Sequence, residues 1–317
     1  MAQRNKVPRY FVTGGAGFIG SHLVDRLAKM GRVTVYDNLS SGRLEFISYH
    51  LDRGDLNFIE ADLLDFSTLK QAIAGHDEVF HLAANPEVKA GIKATELDLK
   101  TGIIASYNVL EAMRLNQVEK LVFTSSSAVY GDVGVTPVTE EHGPLLPISL
   151  YGASKLGSEG LISAFCHLFH MQGRIFRLAN IVGSRLTHGV IFDFISKLKQ
   201  NPRQLEILGD GSQQKPYLYV DDCIDGMLFG MGHSTGWLNV FNLGSSSSTT
   251  VGTIANMVVQ AMGLEAVEFR YTGGSRGWPG DVPQVRFDMT KMNRLGWQPS
   301  YISDQAVWQA IRNILAK

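Results

Sequence analysis

The sequence predicts an α/β fold, with a doubly wound parallel sheet in the first half and a smaller, irregular C-terminal lobe that would hold substrate. Three observations carry this. Short β-branched runs alternate with longer amphipathic stretches up to about residue 180, and because parallel neighbours need crossover connections, such alternation puts helices on both faces of a sheet. Polar residues close these runs, at the carboxyl ends where sheets of this kind bind ligands. Beyond Asn180 the rhythm breaks into short elements around Gly209-Asp210-Gly211, a serine run at 245–248 and a glycine-rich stretch at 273–280. The expected division is therefore 1–180 and 181–317, with some later segments returning to the first part.

Taken in order, the runs at 9–13, 33–36, 56–60, 78–82 and 120–125 read as strands. The first leads into Gly14-Gly15-Ala16-Gly17-Phe18-Ile19-Gly20 and then a helical pattern over 21–29. Glycines at 14, 17 and 20 between strand and helix let the backbone turn tightly and approach a pyrophosphate, which the free N–H groups and positive end of the helix stabilise. The second strand ends at Asp37, where the dinucleotide fingerprint requires an acid. A carboxylate there accepts ribose hydroxyls and repels a 2′-phosphate, which favours NAD over NADP. Arg43 lies nearby but in a loop, where exposed arginines are common. Asp62, after the third strand, suits an adenine amino group or a solvated turn equally well.

Tyr151 and Lys155 stand four residues apart, on one face of a helix if that segment is helical. A lysine cation beside a phenol, together with a positive nicotinamide ring, favours phenolate and suits the tyrosine to act as a base. Hydroxyls at 124–127 close the fifth strand. One of them can hydrogen-bond the substrate oxygen that Tyr151 deprotonates, and Ser125 and Ser127 read equally well as caps of the strand end. A helix is expected over 251–262, after the serine run.

Composition excludes several classes. In 317 residues, 29 basic and 30 acidic side chains leave a net charge of -1, with no run of either sign to bind nucleic acid or a membrane surface. A polar lead over 1–8 enters the first strand directly, and no stretch is apolar for the roughly 18 residues of a membrane span. A soluble, cytoplasmic protein is expected. Cys166 and Cys223 lack any second ligand-like neighbour, so inert buried thiols are expected and no metal site.

Together, the glycine motif at 14–20, Asp37-Asn38, His81-Leu82-Ala83-Ala84, Ser125-Ser126-Ser127, Tyr151 with Lys155, and Arg177-Leu178-Ala179-Asn180 resemble the extended short-chain dehydrogenase/reductase family, across essentially the whole chain. Within it, Asn85-Pro86-Glu87-Val88, His188-Gly189-Val190-Ile191 and Arg276-Gly277-Trp278-Pro279-Gly280-Asp281 are similar to the UDP-glucose (UDP-galactose) 4-epimerase branch. The resemblance implies a Rossmann domain holding NAD through Gly14, Gly17, Phe18, Ile19, Gly20, Asp37, Asn38, Ser41, Gly42, Asp62, Leu63, Leu82, Ala83, Ala84, Tyr151 and Lys155. It implies Ser126, Tyr151 and Lys155 as the catalytic set. A UDP-sugar would be bound by Ser126, Asn180, Gly189, Val190, Phe194, Ile207, Lys215, Tyr217, Arg276 and Asp281. It also implies a homodimer, built on the apolar faces of 94–114 and 154–170.

Three departures stand out. Lys215 replaces an arginine, Gly102 an asparagine, and Arg276 lies two positions further from Gly280-Asp281 than in the common arrangement. Relatives that eliminate water or decarboxylate carry acids where this chain has Ser127 and Ala128, which leaves 4-epimerisation through a transient 4-keto sugar. A simple dehydrogenase and a nucleotide-binding regulator without turnover are the rival readings. Val285, four places after Asp281, either leaves room beside the sugar's C2 substituent for an N-acetyl group or is a buried residue of the small lobe. Arg185 keeps a uronic acid open.

Overall fold

The computed structural model describes residues 7–316, so the polar lead over 1–6 lies outside the described residues. The chain runs β1 (Arg9–Thr13), α1 (Phe18–Leu27), β2 (Arg32–Asp37), α2 (Ser48–Arg53), β3 (Leu56–Glu60), α3 (Phe66–Ile73) and β4 (Glu78–His81). A helix then extends from α4 (Thr95–Asp98) through a π-helical turn at Leu99–Ile104 into α5 (Ala105–Leu115), followed by β5 (Lys120–Ser126), α6 (Leu150–Phe169) and β6 (Gln172–Leu178). The second half holds β7 (Asn180–Val182), α7 (Val190–Gln200), β8 (Gln204–Ile207), β9 (Gln214–Lys215), β10 (Tyr217–Tyr219) and α8 (Val220–His233). It ends with β11 (Leu238–Leu243), β12 (Thr249–Thr250), α9 (Val251–Ala261), β13 (Glu268–Tyr271), α10 (Thr290–Leu295) and α11 (Ser303–Leu315).

Seven strands form one sheet in the order β11-β6-β5-β4-β1-β2-β3, every neighbouring pair parallel. Residues alternate between its two faces. Tyr10 and Val12 of β1 enter one core with Leu23 and Leu27 of α1, while Phe11 enters another with Leu69 of α3 and Val109 of α5. A third core, around Phe194, Leu205, Ile254 and Ile311, belongs to the smaller lobe, whose strands pair only two by two. Sequence reasoning misses two sheet strands. Arg174 and Arg177 interrupt the apolar run of β6, and β11 returns from far along the chain to pair with it.

The chain leaves β1 for β2 on one side and comes back as β4 on the other. The crevice such a reversal opens lies beyond Thr13, Asp37 and His81, the carboxyl ends of these three strands. No described helix is long and apolar enough to cross a membrane. Both thiols are buried and unpaired, and burial pushes Cys166 up to about 11 and Cys223 higher still.

Candidate active site

A cleft of about 570 Å³ opens at this reversal and continues into the smaller lobe. The β1–α1 turn lines it with Gly14, Gly17, Phe18, Ile19 and Gly20. Gly14 has φ +69°, and a Cβ there would stand 2.7 Å from the Ala83 nitrogen; one on Gly20 would stand 2.1 Å from the Gly14 carbonyl oxygen. Only glycine fits either place, and the tight turn leaves the N-terminus of α1 facing the cleft. Asp37, Asn38 and Ser41 line the cleft after β2, and Leu82, Ala83 and Ala84 after β4. Asp37 is 8% exposed and accepts from the Ala16 N–H at 3.0 Å and the Leu39 N–H at 2.9 Å. Burial nevertheless holds its carboxyl above the usual range, these two N–H groups opposing, so further hydroxyl donors would be welcome there. The turn and the acid fit a dinucleotide.

Ser126, Tyr151 and Lys155 line the cleft together. Ser149 caps α6 by accepting from the Gly152 N–H at 3.1 Å, which fixes the helix start just before Tyr151. Ser126 ends β5, where its Oγ accepts from the Ala128 N–H at 3.2 Å and keeps its own proton for a partner. Lys155 is buried and donates from Nζ to the Thr124 carbonyl at 2.7 Å, with its ammonium 4.8 Å from the Phe123 ring centre. Burial pulls it down to about 8, against the pull of Glu159 and Asp98.

The phenol meets a cost of burial. Burial pushes Tyr151 up to about 12, the Ser126 hydroxyl opposing and Asp98 adding to the rise. Lys155, 5.8 Å from the ring centre, does not reverse this; its ammonium donates to the Thr124 carbonyl. Asp98 is itself unexpected. It is 2% exposed, takes the Asn85 Nδ2 hydrogen bond at 3.1 Å on Oδ1 and has no partner on Oδ2 among the described residues.

From the second half, Asn180, Gly189, Val190, Phe194, Lys215, Tyr217 and Asp281 line the cleft. Lys215 pairs with Asp281 at 2.6 Å, and Asp281 also accepts from the Gly277 N–H at 3.1 Å. Five expected contacts are not on its wall. Gly42 packs beneath Asp37, where an added Cβ would stand 2.8 Å from Oδ1. Asp62 is exposed and accepts from Asn38 Nδ2 at 2.9 Å, bracing a lining residue rather than lining the cleft itself. Leu63 and Ile207 are core side chains, and Leu208 takes the wall position beside Ile207. Arg276 donates to the Asp281 carbonyl at 2.6 Å and to Asp132.

Two residues weighed for sugar choice also fall elsewhere. Val285 is 3% exposed in the main core, so the volume argument at C2 has no carrier. Arg185 pairs with Asp25 at 2.9 Å. Gly102 sits in the π-helical turn, where a Cβ would come 2.6 Å from Ser154 Oγ, so the side chain expected of an asparagine has no room. Sequence reasoning missed several lining residues: His188 and Trp278 lie inside quoted motifs, and Gln213 is buried, with Oε1 unpartnered among the described residues.

The model of the NAD dependent epimerase/dehydratase family matches residues 10–244. A protein of Methanocaldococcus jannaschii named putative UDP-glucose 4-epimerase is 33% identical over 91% of this chain and 92% of its own. A Bacillus cytotoxicus protein named UDP-N-acetyl-alpha-D-glucosaminuronate decarboxylase is 33% identical over 96% and 97%. A crystal structure of a UDP-galactose 4-epimerase superposes with TM-score 0.87 at 39% identity, over 97% of this chain and 99% of that one.

Proposed function

This chain belongs to the NAD dependent epimerase/dehydratase family, and on that footing we propose that it interconverts UDP-galactose and UDP-glucose through a transient 4-keto sugar. Relatives of equal identity carry epimerase and decarboxylase names, so identity does not choose the reaction. The observation that supports epimerisation is a Ser126-Tyr151-Lys155 set gathered on the cleft with Ser127 and Ala128, rather than acids, at the turn beside it.

NAD supplies, when bound, a hydride acceptor and donor for C4 and a positive ring that favours the Tyr151 phenolate. Tyr151 takes the C4 hydroxyl proton as the C4 hydrogen leaves, then returns it once the ketone has turned to present its other face. Ser126 donates to the same oxygen. Lys155 holds positive charge beside the phenol and would help to hold the cofactor there. Residues 1–180 form the cofactor half in this reading and 181–317 the nucleotide-sugar half, with Lys215 near the diphosphate.

The chain also fits a homodimer. Leu99, Ile104, Tyr107, Leu168 and Phe169 are exposed on the helices at 94–114 and 154–170, and burying such apolar area drives association. A sedimentation mass of two chains at micromolar concentration is expected, and a monomer would argue against it. For the reaction, UDP-galactose incubated with the protein and no added NAD should reach a mixture with UDP-glucose. Loss of substrate with stoichiometric NADH and no epimer would point to a dehydrogenase.

A further inference from the structure

Behind the three catalytic side chains lies a buried charged network that the reaction as described does not use. Glu159 stands one turn after Lys155 on α6, and Arg177 faces it from β6, through Nη2 to Oε2 at 2.7 Å and Nε to Oε1 at 3.0 Å. Their side chains are 8% and 5% exposed. Ser125, the neighbour of Ser126, donates to Glu159 Oε1 at 2.5 Å. Arg177 continues to the Tyr130 hydroxyl at 3.0 Å and the Glu140 carbonyl at 3.1 Å, and Tyr130 donates to Asn242 Oδ1 at 2.7 Å. One ion pair thus ties the end of β5, the middle of α6, the turn at 127–130 and β11 of the second half.

Two consequences follow from that placement. Ser126 and Lys155 come from different elements, and their spacing is set where Ser125 and the α6 backbone meet on one carboxylate. Electrostatically, Lys155 sits in a dry site whose charged neighbours are few. Asp98 acts on it from α4 and Glu159 from α6 itself, Arg177 of β6 lies behind it paired to Glu159, and β5 offers the Thr124 carbonyl and the Phe123 ring. His81, from β4, is held neutral, burial driving it down to about 3, with Lys155 adding to the fall.

We propose that Glu159 and Arg177 are positioning residues for the catalytic set: the pair fixes Ser126 against Lys155, and its balance of charge sets how firmly Lys155 keeps its proton. The proposal rests on the reading of Ser126, Tyr151 and Lys155 given above. It also makes a prediction of opposite signs. Without the Glu159 charge, Lys155 faces an uncompensated Arg177 and should lose its proton at lower pH. Without the Arg177 charge, Lys155 faces an uncompensated Glu159 and should keep its proton to higher pH.

The test uses NAD-loaded protein with 13C-labelled lysine, following the Lys155 Cε resonance through a pH titration alongside the pH profile of turnover. Glu159→Gln should move the titration and the alkaline limb of activity down by about one pH unit, and Arg177→Gln should move both up by a similar amount. Shifts in the same direction, or no shift with activity merely reduced, would overturn the charge-setting role. If either single variant does not fold, the Glu159→Gln/Arg177→Gln double variant, which leaves no lone charge, decides the positioning role. Turnover at least about tenfold lower, with NAD retained and KM within about twofold, is the expected result, and unchanged turnover would overturn it. If the unaltered protein turns over no UDP-sugar, the functional reading fails, while the titration still judges the charge-setting role.

Discussion

Asp37 lies buried on the cleft with both carboxylate oxygens held by backbone N–H groups, whereas Arg276 turns its guanidinium away to Asp132 and the Asp281 carbonyl. The first belongs to a side of the site built from strand ends of one parallel sheet. The second belongs to a lobe of two-stranded pairs joined by glycine-rich loops. On the sheet side a residue's place in the chain fixes its direction, because register and alternation leave little freedom. On the loop side no ladder fixes the direction, and Arg276 is held by its own partners, Asp132 and the Asp281 carbonyl.

The comparison can be broken most sharply at the catalytic centre, where both sides meet. Tyr151→Phe should lower turnover at least about a hundredfold, the scale of losing a general base, while NAD stays bound. Near-normal activity would remove Tyr151 from the mechanism. On the sheet side, Asp37→Ala removes a buried acceptor and should weaken NAD by about thirtyfold, a loss of ~2 kcal/mol, while narrowing its advantage over NADP. Equal affinity of the unaltered protein for both dinucleotides would contradict the role given to Asp37.

On the loop side the two cations should separate. Lys215 lines the cleft, so Lys215→Ala is expected to raise KM about tenfold with kcat little changed, the pattern of lost uniform binding. Arg276 is 40% exposed in a pair with Asp132, and partly exposed pairs contribute little, so Arg276→Ala should change KM by no more than about threefold. The reverse order of effects would show that the loop swings Arg276 into the cleft when ligand binds.

The same contrast explains what the sequence allowed one to read. Gly14, Gly20 and Asp37 follow from chain order alone: strand, tight turn, helix, strand, acid. β6 was hidden by Arg174 and Arg177, whose charges break the apolar run, and Arg177 is buried only because Glu159 answers it from another element. Asp98 belongs to no motif, and only the fold sets it against Gly91 and Asn85. Ile207 and Val285 are core side chains, and a resemblance, which transfers a place in the chain, does not by itself tell which side of the strand or loop a residue faces. The upward push on Tyr151 is a burial effect, and residue spacing carries no information about burial.

In the proposed reaction, hydrogen leaves C4 of a UDP-sugar and returns to the same carbon within one binding event. UDP-galactose deuterated at C4, incubated with the protein in ordinary water without added NAD, tests this directly by mass and NMR analysis of the product. UDP-glucose that keeps its deuterium at C4 is the predicted result. Product that has exchanged the label for solvent hydrogen, or a product that has lost O6 as water, would contradict it.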